Sequence, residues 1–236
     1  MPTAHVNGIE LYYELHGDGP PVVVIPGLGC DVRMFSPLVT ALAERCRVVV
    51  FDPRGAGRSD KPNLPYSIDE MADDAAALLH LVGMHSATVI GYSMGGRIAL
   101  SLALRRPTYV GRLLLASTSA RTPPNSGLSW RWFVMDVLGR IPLPRFIDPQ
   151  PRYSQDRQRQ ASREFDCTAQ LAEISVPTVV IHARHDGITP LNLALELQEG
   201  IPGARLVTVK GGHMSMLTTQ RSRLIGTALA LAEEAR

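Results

Sequence analysis

The chain has 236 residues, 45% hydrophobic and 19% charged, with a formal net charge of +2. That balance excludes extended disorder and suits one α/β core with room for an insertion. The small net charge, with no stretch that joins dense Lys/Arg to stacking aromatics, argues against a nucleic-acid partner.

Three scattered cysteines, Cys30, Cys46 and Cys167, form no CxxC pair, and the seven histidines show no HExxH spacing. No metal site, organic cofactor or disulfide framework is therefore expected. No run of about 18 apolar residues predicts a membrane span, and the first residues alternate where a secretory leader needs a basic start and an apolar core. The expectation is a cytoplasmic protein that engages neither membrane nor nucleic acid.

Residues 3–16 read as two short strands joined at Asn7-Gly8 in an antiparallel hairpin. PPVVVIPG and RVVVFDPRG supply β-branched runs ended by Gly or Pro, the mark of strands buried on both faces, with a helix expected between them at 35–45. Ser67 and Glu70 form a capping-box pattern, and Met71, Ala75, Leu78, Leu79 and Val82 follow on one helical face. HSATVIGY is the next strand, 95–106 the next helix and VGRLLLAS another strand, an alternation that predicts a doubly wound parallel sheet.

Residues 118–173 break this order. They are rich in proline and arginine, contain both tryptophans, and are expected to form a short, mostly helical cap after the sixth strand, with SWRWFVMDVLGRI as its best helix. The core, 1–117 and 174–236, resumes with the strands VPTVVIHAR and ARLVTVKGG. It closes with a helix whose Leu224, Ala228 and Leu231 share a face.

Gly91-Tyr92-Ser93-Met94-Gly95 is a GxSxG sequence placed directly after a predicted strand and before a predicted helix. A serine lifted onto so sharp a turn needs small residues two before and two after it, and the helix start supplies free amides for developing negative charge. Alone, the pentapeptide equally fits a glycine-rich turn whose serine caps the helix.

A serine hydroxyl needs a base within reach and a third group to orient that base. Asp186 follows one predicted strand and His213 the next, in the chain order Ser, Asp, His. Asp148 and Asp166 in the insertion are rival acids, and His182 and His185 rival bases. His182 falls within a strand, where packing explains it.

ELHGDGPPVVVIPGLG, FDPRGAGRSDKP, YSIDEMADDAAALL, GYSMGGRIAL, VPTVVIHARHDGITP and IPGARLVTVKGGHMSM together resemble the α/β-hydrolase superfamily, in particular small bacterial carboxylesterases and enol-lactonases. The resemblance implies an α/β-hydrolase fold: a mostly parallel eight-stranded sheet, flanking helices and a cap after strand 6. It makes Ser93 the nucleophile, His213 the general base and acid, and Asp186 the orienting carboxylate. The oxyanion hole falls to the amides of Leu28 and Met94, although Pro26-Gly27 stands where the family usually has His-Gly. Cys30, Asp52 and Arg54 are assigned structural roles.

Serine in place of aspartate at the elbow favours acyl transfer. The expected activity is hydrolysis of carboxylic esters of small to medium size, with lactones and thioesters as further candidate substrates. Lactonase, thioesterase, C–C bond hydrolase, perhydrolase, hydroxynitrile lyase and slow-turnover receptor remain alternatives on the same residues. Trp130, Trp132, Phe133 and Met135 are expected either to contact substrate or to pack the cap on the core.

Overall fold

The computed structural model describes residues 2–122 and 150–234. β1 (Thr3–Val6) and β2 (Ile9–His16) form the expected hairpin, with Asn7 and Gly8 at φ 45° and 78°. Two consecutive positive φ values are what a twisted two-residue hairpin turn requires, and Asn-Gly tolerates them. β3 (Pro21–Ile25), β4 (Arg47–Phe51), β5 (Ala87–Tyr92), β6 (Val110–Ala116), β7 (Thr178–Ala183) and β8 (Arg205–Val209) run parallel to one another, and β2 joins them antiparallel through β4. Among the described residues the sheet has eight strands in the order β1-β2-β4-β3-β5-β6-β7-β8.

Side-chain alternation divides the core between the two faces of this sheet. Val23, Ile25, Val49, Phe51 and Val89 pack on one face, and Val22, Val24, Val48, Val50 and Ile90 on the other. Each fully buried Val, Ile or Phe of this kind stabilises the fold by roughly 1.5–3 kcal/mol. α1 (Val32–Ala43) and α6 (Arg221–Glu233) cover the second face through Phe35, Leu38, Leu224 and Leu231. α2 (Ile68–Leu81), α3 (Met94–Arg105) and α5 (Leu191–Gly200) cover the first through Met71, Leu78, Ile98 and Leu197.

Two details differ from the sequence expectation. α1 begins at Val32, earlier than 35, because the Asp31 carboxylate accepts a hydrogen bond from the Arg33 amide and caps the helix there. Only the forward half of the capping box forms at α2. Ser67 Oγ accepts the Glu70 amide at 3.0 Å, whereas the Glu70 carboxylate pairs with Arg54 at 2.9 Å.

Between β6 and β7 the described chain contributes α4 (Arg152–Glu164) and a 3-10 turn, Thr168–Glu173. α4 buries Ser154, Gln158 and Ala161 at helical spacing. With two polar members, that stripe has no apolar periodicity to betray it, and the sequence reading did not single this helix out. The helix expected at SWRWFVMDVLGRI lies outside the described residues.

Candidate active site

Chain order reverses between β3 and β5: the path leaves β3 for β4 on one side and returns to β5 on the other. Such a switch point opens a crevice at the carboxyl ends of the strands. Ser93 follows β5 there, the 26–30 loop follows β3, Asp186 follows β7 and His213 follows β8.

Ser93 sits at φ 54°, ψ −119°, a backbone conformation that L residues rarely adopt. Its amide bonds the Ala116 carbonyl at 2.9 Å, and its carbonyl accepts from the Gly96 amide at 2.9 Å and from Thr118 Oγ1 at 2.6 Å. The turn is thus fixed from both flanks. A side chain at Gly91 would strike the Gly95 carbonyl oxygen at 2.5 Å, and one at Gly95 would strike the Ile25 carbonyl oxygen. The glycines therefore let α3 start directly against the ends of β3 and β5.

Ser93 Oγ lies 3.0 Å from His213 Nε2, and His213 Nδ1 lies 2.8 Å from Asp186 Oδ2. An ionised carboxylate only accepts hydrogen bonds, so Nδ1 carries the proton and Nε2 is left to accept from the serine hydroxyl. Asp186 Oδ1 also accepts the Ile188 and Thr189 amides, each at 2.9 Å. Burial alone would raise this carboxyl, but the hydrogen bond and charge of His213, with the two amides, outweigh it and hold the group below the usual carboxylate range. Tyr92 completes the setting of His213: its hydroxyl donates to the His213 carbonyl at 3.1 Å and its ring lies 5.2 Å from the imidazole.

The rival residues stand elsewhere. His182 is fully buried in β7, with Nε2 2.7 Å from the Thr189 carbonyl oxygen, and desolvation lowers its pKa. It comes within 3.7 Å of Asp186 but bonds the carbonyl rather than the serine. His185 is exposed. Asp166 accepts the Thr168 amide and its backbone forms an isolated β-bridge with that of Arg121, while Asp148 lies outside the described residues.

Leu28 and Met94 both border the cleft beside Ser93. Met94 is the first residue of α3, so its amide has no intrahelical acceptor. Among the described residues the Leu28 amide also has none. Position 27 presses close to Ser93: a Cβ there would stand 3.2 Å from Ser93 Cβ. The loop is held by α4, whose Gln158 Oε1 accepts the Gly29 amide at 3.0 Å and whose Nε2 donates to the Arg54 carbonyl at 2.8 Å.

Three neighbours have structural explanations. Cys30 is buried, and desolvation with the Asp31 charge pushes its thiol up to about 12, which leaves it unreactive. Asp52 accepts the Val32 and Arg58 amides at 2.7 and 2.8 Å. Arg54 binds Asp74 through Nε and Nη2 at 2.8 and 2.9 Å. Among the described residues no His, Cys, Asp and Glu cluster could hold a metal ion, and no helix is long and apolar enough to cross a membrane. Trp130, Trp132, Phe133 and Met135 lie outside the described residues.

Sequence reasoning missed Thr189, Gln158 and Arg97. Thr189 Oγ1 is 2.9 Å from Asp186 Oδ2 and 3.3 Å from His213 Nδ1; its signal is a hydroxyl residue three positions after the acid. Arg97 lies one turn into α3, only 7% exposed. Its signal is a single charge within the otherwise uncharged stretch MGGRIALSLAL. It donates to Ser119 Oγ and Thr122 Oγ1 at 2.8 and 2.7 Å, to Ser162 and to the Arg121 carbonyl. Desolvation pulls its pKa down to about 10, still a charged group at neutral pH.

Comparison with known proteins bears on the family and the fold. The model of the alpha/beta hydrolase fold family matches residues 20–159, and one described as TAP-like protein matches 152–223. The protein of Azorhizobium caulinodans named "Putative carbamate hydrolase RutD" is 34% identical over 90% of this chain and 91% of its own. A hydrolase from Pseudomonas aeruginosa PA01 superposes with a TM-score of 0.88 at 27% identity, covering 98% of both chains. The enol-lactonase from Burkholderia xenovorans LB400 does so at 0.85 and 28%, covering 98% of this chain and 99% of its own. An eight-stranded, mostly parallel sheet flanked by helices and a family match over more than half its length identify this chain as a member of the α/β-hydrolase family.

Proposed function

We propose that the protein is a serine hydrolase that cleaves carboxylic ester bonds of small to medium substrates through an acyl-enzyme on Ser93. The observation that carries this reading is the hydrogen-bonded chain from Ser93 Oγ through His213 to Asp186, at 3.0 and 2.8 Å.

Ser93 Oγ attacks the ester carbonyl carbon as its proton passes to His213 Nε2. The resulting imidazolium is stabilised by the Asp186 carboxylate, which keeps its charge and takes no proton. The amides of Leu28 and Met94 donate to the tetrahedral oxyanion. Collapse breaks the bond to the alcohol, which leaves with the proton from Nε2. A water molecule then gives a proton to Nε2 and attacks the acyl carbon; the second collapse releases the acid and returns the proton to Ser93.

Removing a member of such a unit costs several orders of magnitude in kcat, because nucleophile, base and orienting group act together. A panel of p-nitrophenyl esters and small lactones, run with the wild type and Ser93→Ala, tests the reading. Turnover by the wild type and its loss in Ser93→Ala supports it. Equal turnover by both, or a wild type inert to the panel yet stabilised by a small ligand, contradicts it and favours another nucleophile or a receptor.

A further inference from the structure

The cleft that borders Ser93 is also lined by Arg97, Arg159 and Arg163, and among the described residues that line it there is no Asp or Glu. Arg159 and Arg163 are four residues apart on α4, so they project from the same face of that helix. Arg159 is ion-paired with Asp156 at 3.1 Å, on the same helix. Among the described residues neither Arg97 nor Arg163 lies within ion-pairing distance of a carboxylate. The acceptors around Arg97 are hydroxyls and carbonyls, all neutral. A guanidinium removed from water and surrounded by neutral acceptors costs free energy that an opposite charge would offset. On the facing helix Arg163 adds a second positive charge to the same space, and Arg159 a third that Asp156 offsets in part.

We infer that this cleft selects esters or lactones that carry a carboxylate, which Arg163 and Arg159 bind directly in the positive field of the buried Arg97. The inference deepens the hydrolase reading and rests on it for the position of the scissile bond. Guanidinium is suited to the task because its fork of N–H groups matches both oxygens of a carboxylate. The apolar remainder of the wall, Leu28, Ile188 and Leu193, would hold a short hydrocarbon spacer between carboxylate and ester.

Two matched pairs test the selection: mono-p-nitrophenyl glutarate against p-nitrophenyl pentanoate, with the charge on the acyl side, and 4-butanoyloxybenzoate against phenyl butanoate, with it on the alcohol side. A charge-assisted pair predicts that the anionic member of at least one pair is preferred by about ten-fold or more in kcat/KM. Arg163→Gln should lower that ratio, Arg163→Lys should restore part of it, and the Arg159→Gln/Arg163→Gln double variant should abolish it. Arg163 is exposed and Arg159 partly buried, and far-UV circular dichroism checks that the variants fold. Neutral members preferred or equal in both pairs, or a preference that survives in the double variant, would overturn the inference.

A binding measurement separates this outcome from failure of the hydrolase reading. Monomethyl glutarate and methyl pentanoate are titrated into Ser93→Ala by calorimetry. If the wild type hydrolyses none of the four esters, tighter binding of the glutarate still supports selection by charge, and equal binding rejects it.

Discussion

Gln158 on α4 accepts a hydrogen bond from the Gly29 amide at 3.0 Å, and its own amide donates to the Arg54 carbonyl at 2.8 Å. One buried side chain thereby fastens the loops after β3 and β4 to the same helix. Gly29 is bonded to Leu28, so the tie reaches the amide assigned to the oxyanion. Gln158→Ala should lower kcat by about ten-fold with a smaller change in KM, because a loosened donor acts chiefly on the transition state. The unpaired Gly29 and Arg54 groups should also lower stability by on the order of 2 kcal/mol, measurable by urea denaturation. Unchanged kcat would separate the Gly29 tie from catalysis.

The contact between α3 and β3 gives a prediction about the fold itself. A Cβ at Gly95 would overlap the Ile25 carbonyl oxygen and stand 2.5 Å from that of Pro26. These are backbone atoms and cannot rotate away. Gly95→Ala should therefore destabilise the protein by about 1–3 kcal/mol, the usual range for overpacking. Gly226, on α6, has nothing within 4 Å of a Cβ, so Gly226→Ala should be neutral or stabilising. Thermal unfolding of the two variants checks the contrast; equal melting temperatures would refute it.

Asp186 and Thr189 should separate in their effects. Asp186→Asn removes the charge that stabilises imidazolium and permits the wrong histidine tautomer, with an expected loss of about 10⁴ in kcat. Thr189→Val removes one hydroxyl from Asp186 Oδ2 but leaves the backbone amides of 188 and 189 in place. Its expected loss is about ten-fold, from a less firmly held carboxylate. Steady-state kinetics on one activated ester distinguishes them, and a Thr189→Val loss as large as that of Asp186→Asn would contradict this division of roles.

The parts of the molecule that could be read in advance are those governed by local pattern. Strands such as Val22–Ile25 and Val48–Phe51 are continuous β-branched or apolar runs because both their faces are buried. Ser93 and Asp186 could be placed because each follows such a strand, and His213 because it follows the half-buried edge strand β8; parallel strands present their following loops at one edge of the sheet. α4 escaped because its buried stripe is Ser154, Gln158 and Ala161, and the burial of the two polar members depends on carbonyls from distant loops. Arg97 escaped for the same reason: its acceptors lie 22 to 65 residues away in sequence.

A pH dependence of stability follows from Asp52. Burial raises its carboxyl to about 6, against the lowering effect of the Arg58 and Val32 amides. The unfolded chain releases this proton near the ordinary carboxylate value, so between about pH 4 and 6 the folded state binds more protons. Stability contributed by this group therefore falls as pH rises through that window and is level above it, by on the order of 3 kcal/mol in all. Urea denaturation at pH 4, 5, 6 and 7 should show this fall flattened in Asp52→Asn, which does not titrate. The same slope in both proteins would show that Asp52 ionises normally.

Covalent labelling tests the central claim that Ser93 is an activated nucleophile. A fluorophosphonate reacts with a serine oxygen whose proton a neighbouring base removes, and it leaves a stable adduct that peptide mass spectrometry locates. The expected result is one adduct per chain, on Ser93, absent from Ser93→Ala and strongly slowed in His213→Ala. Labelling of another residue, or of Ser93 at an undiminished rate without His213, would contradict it.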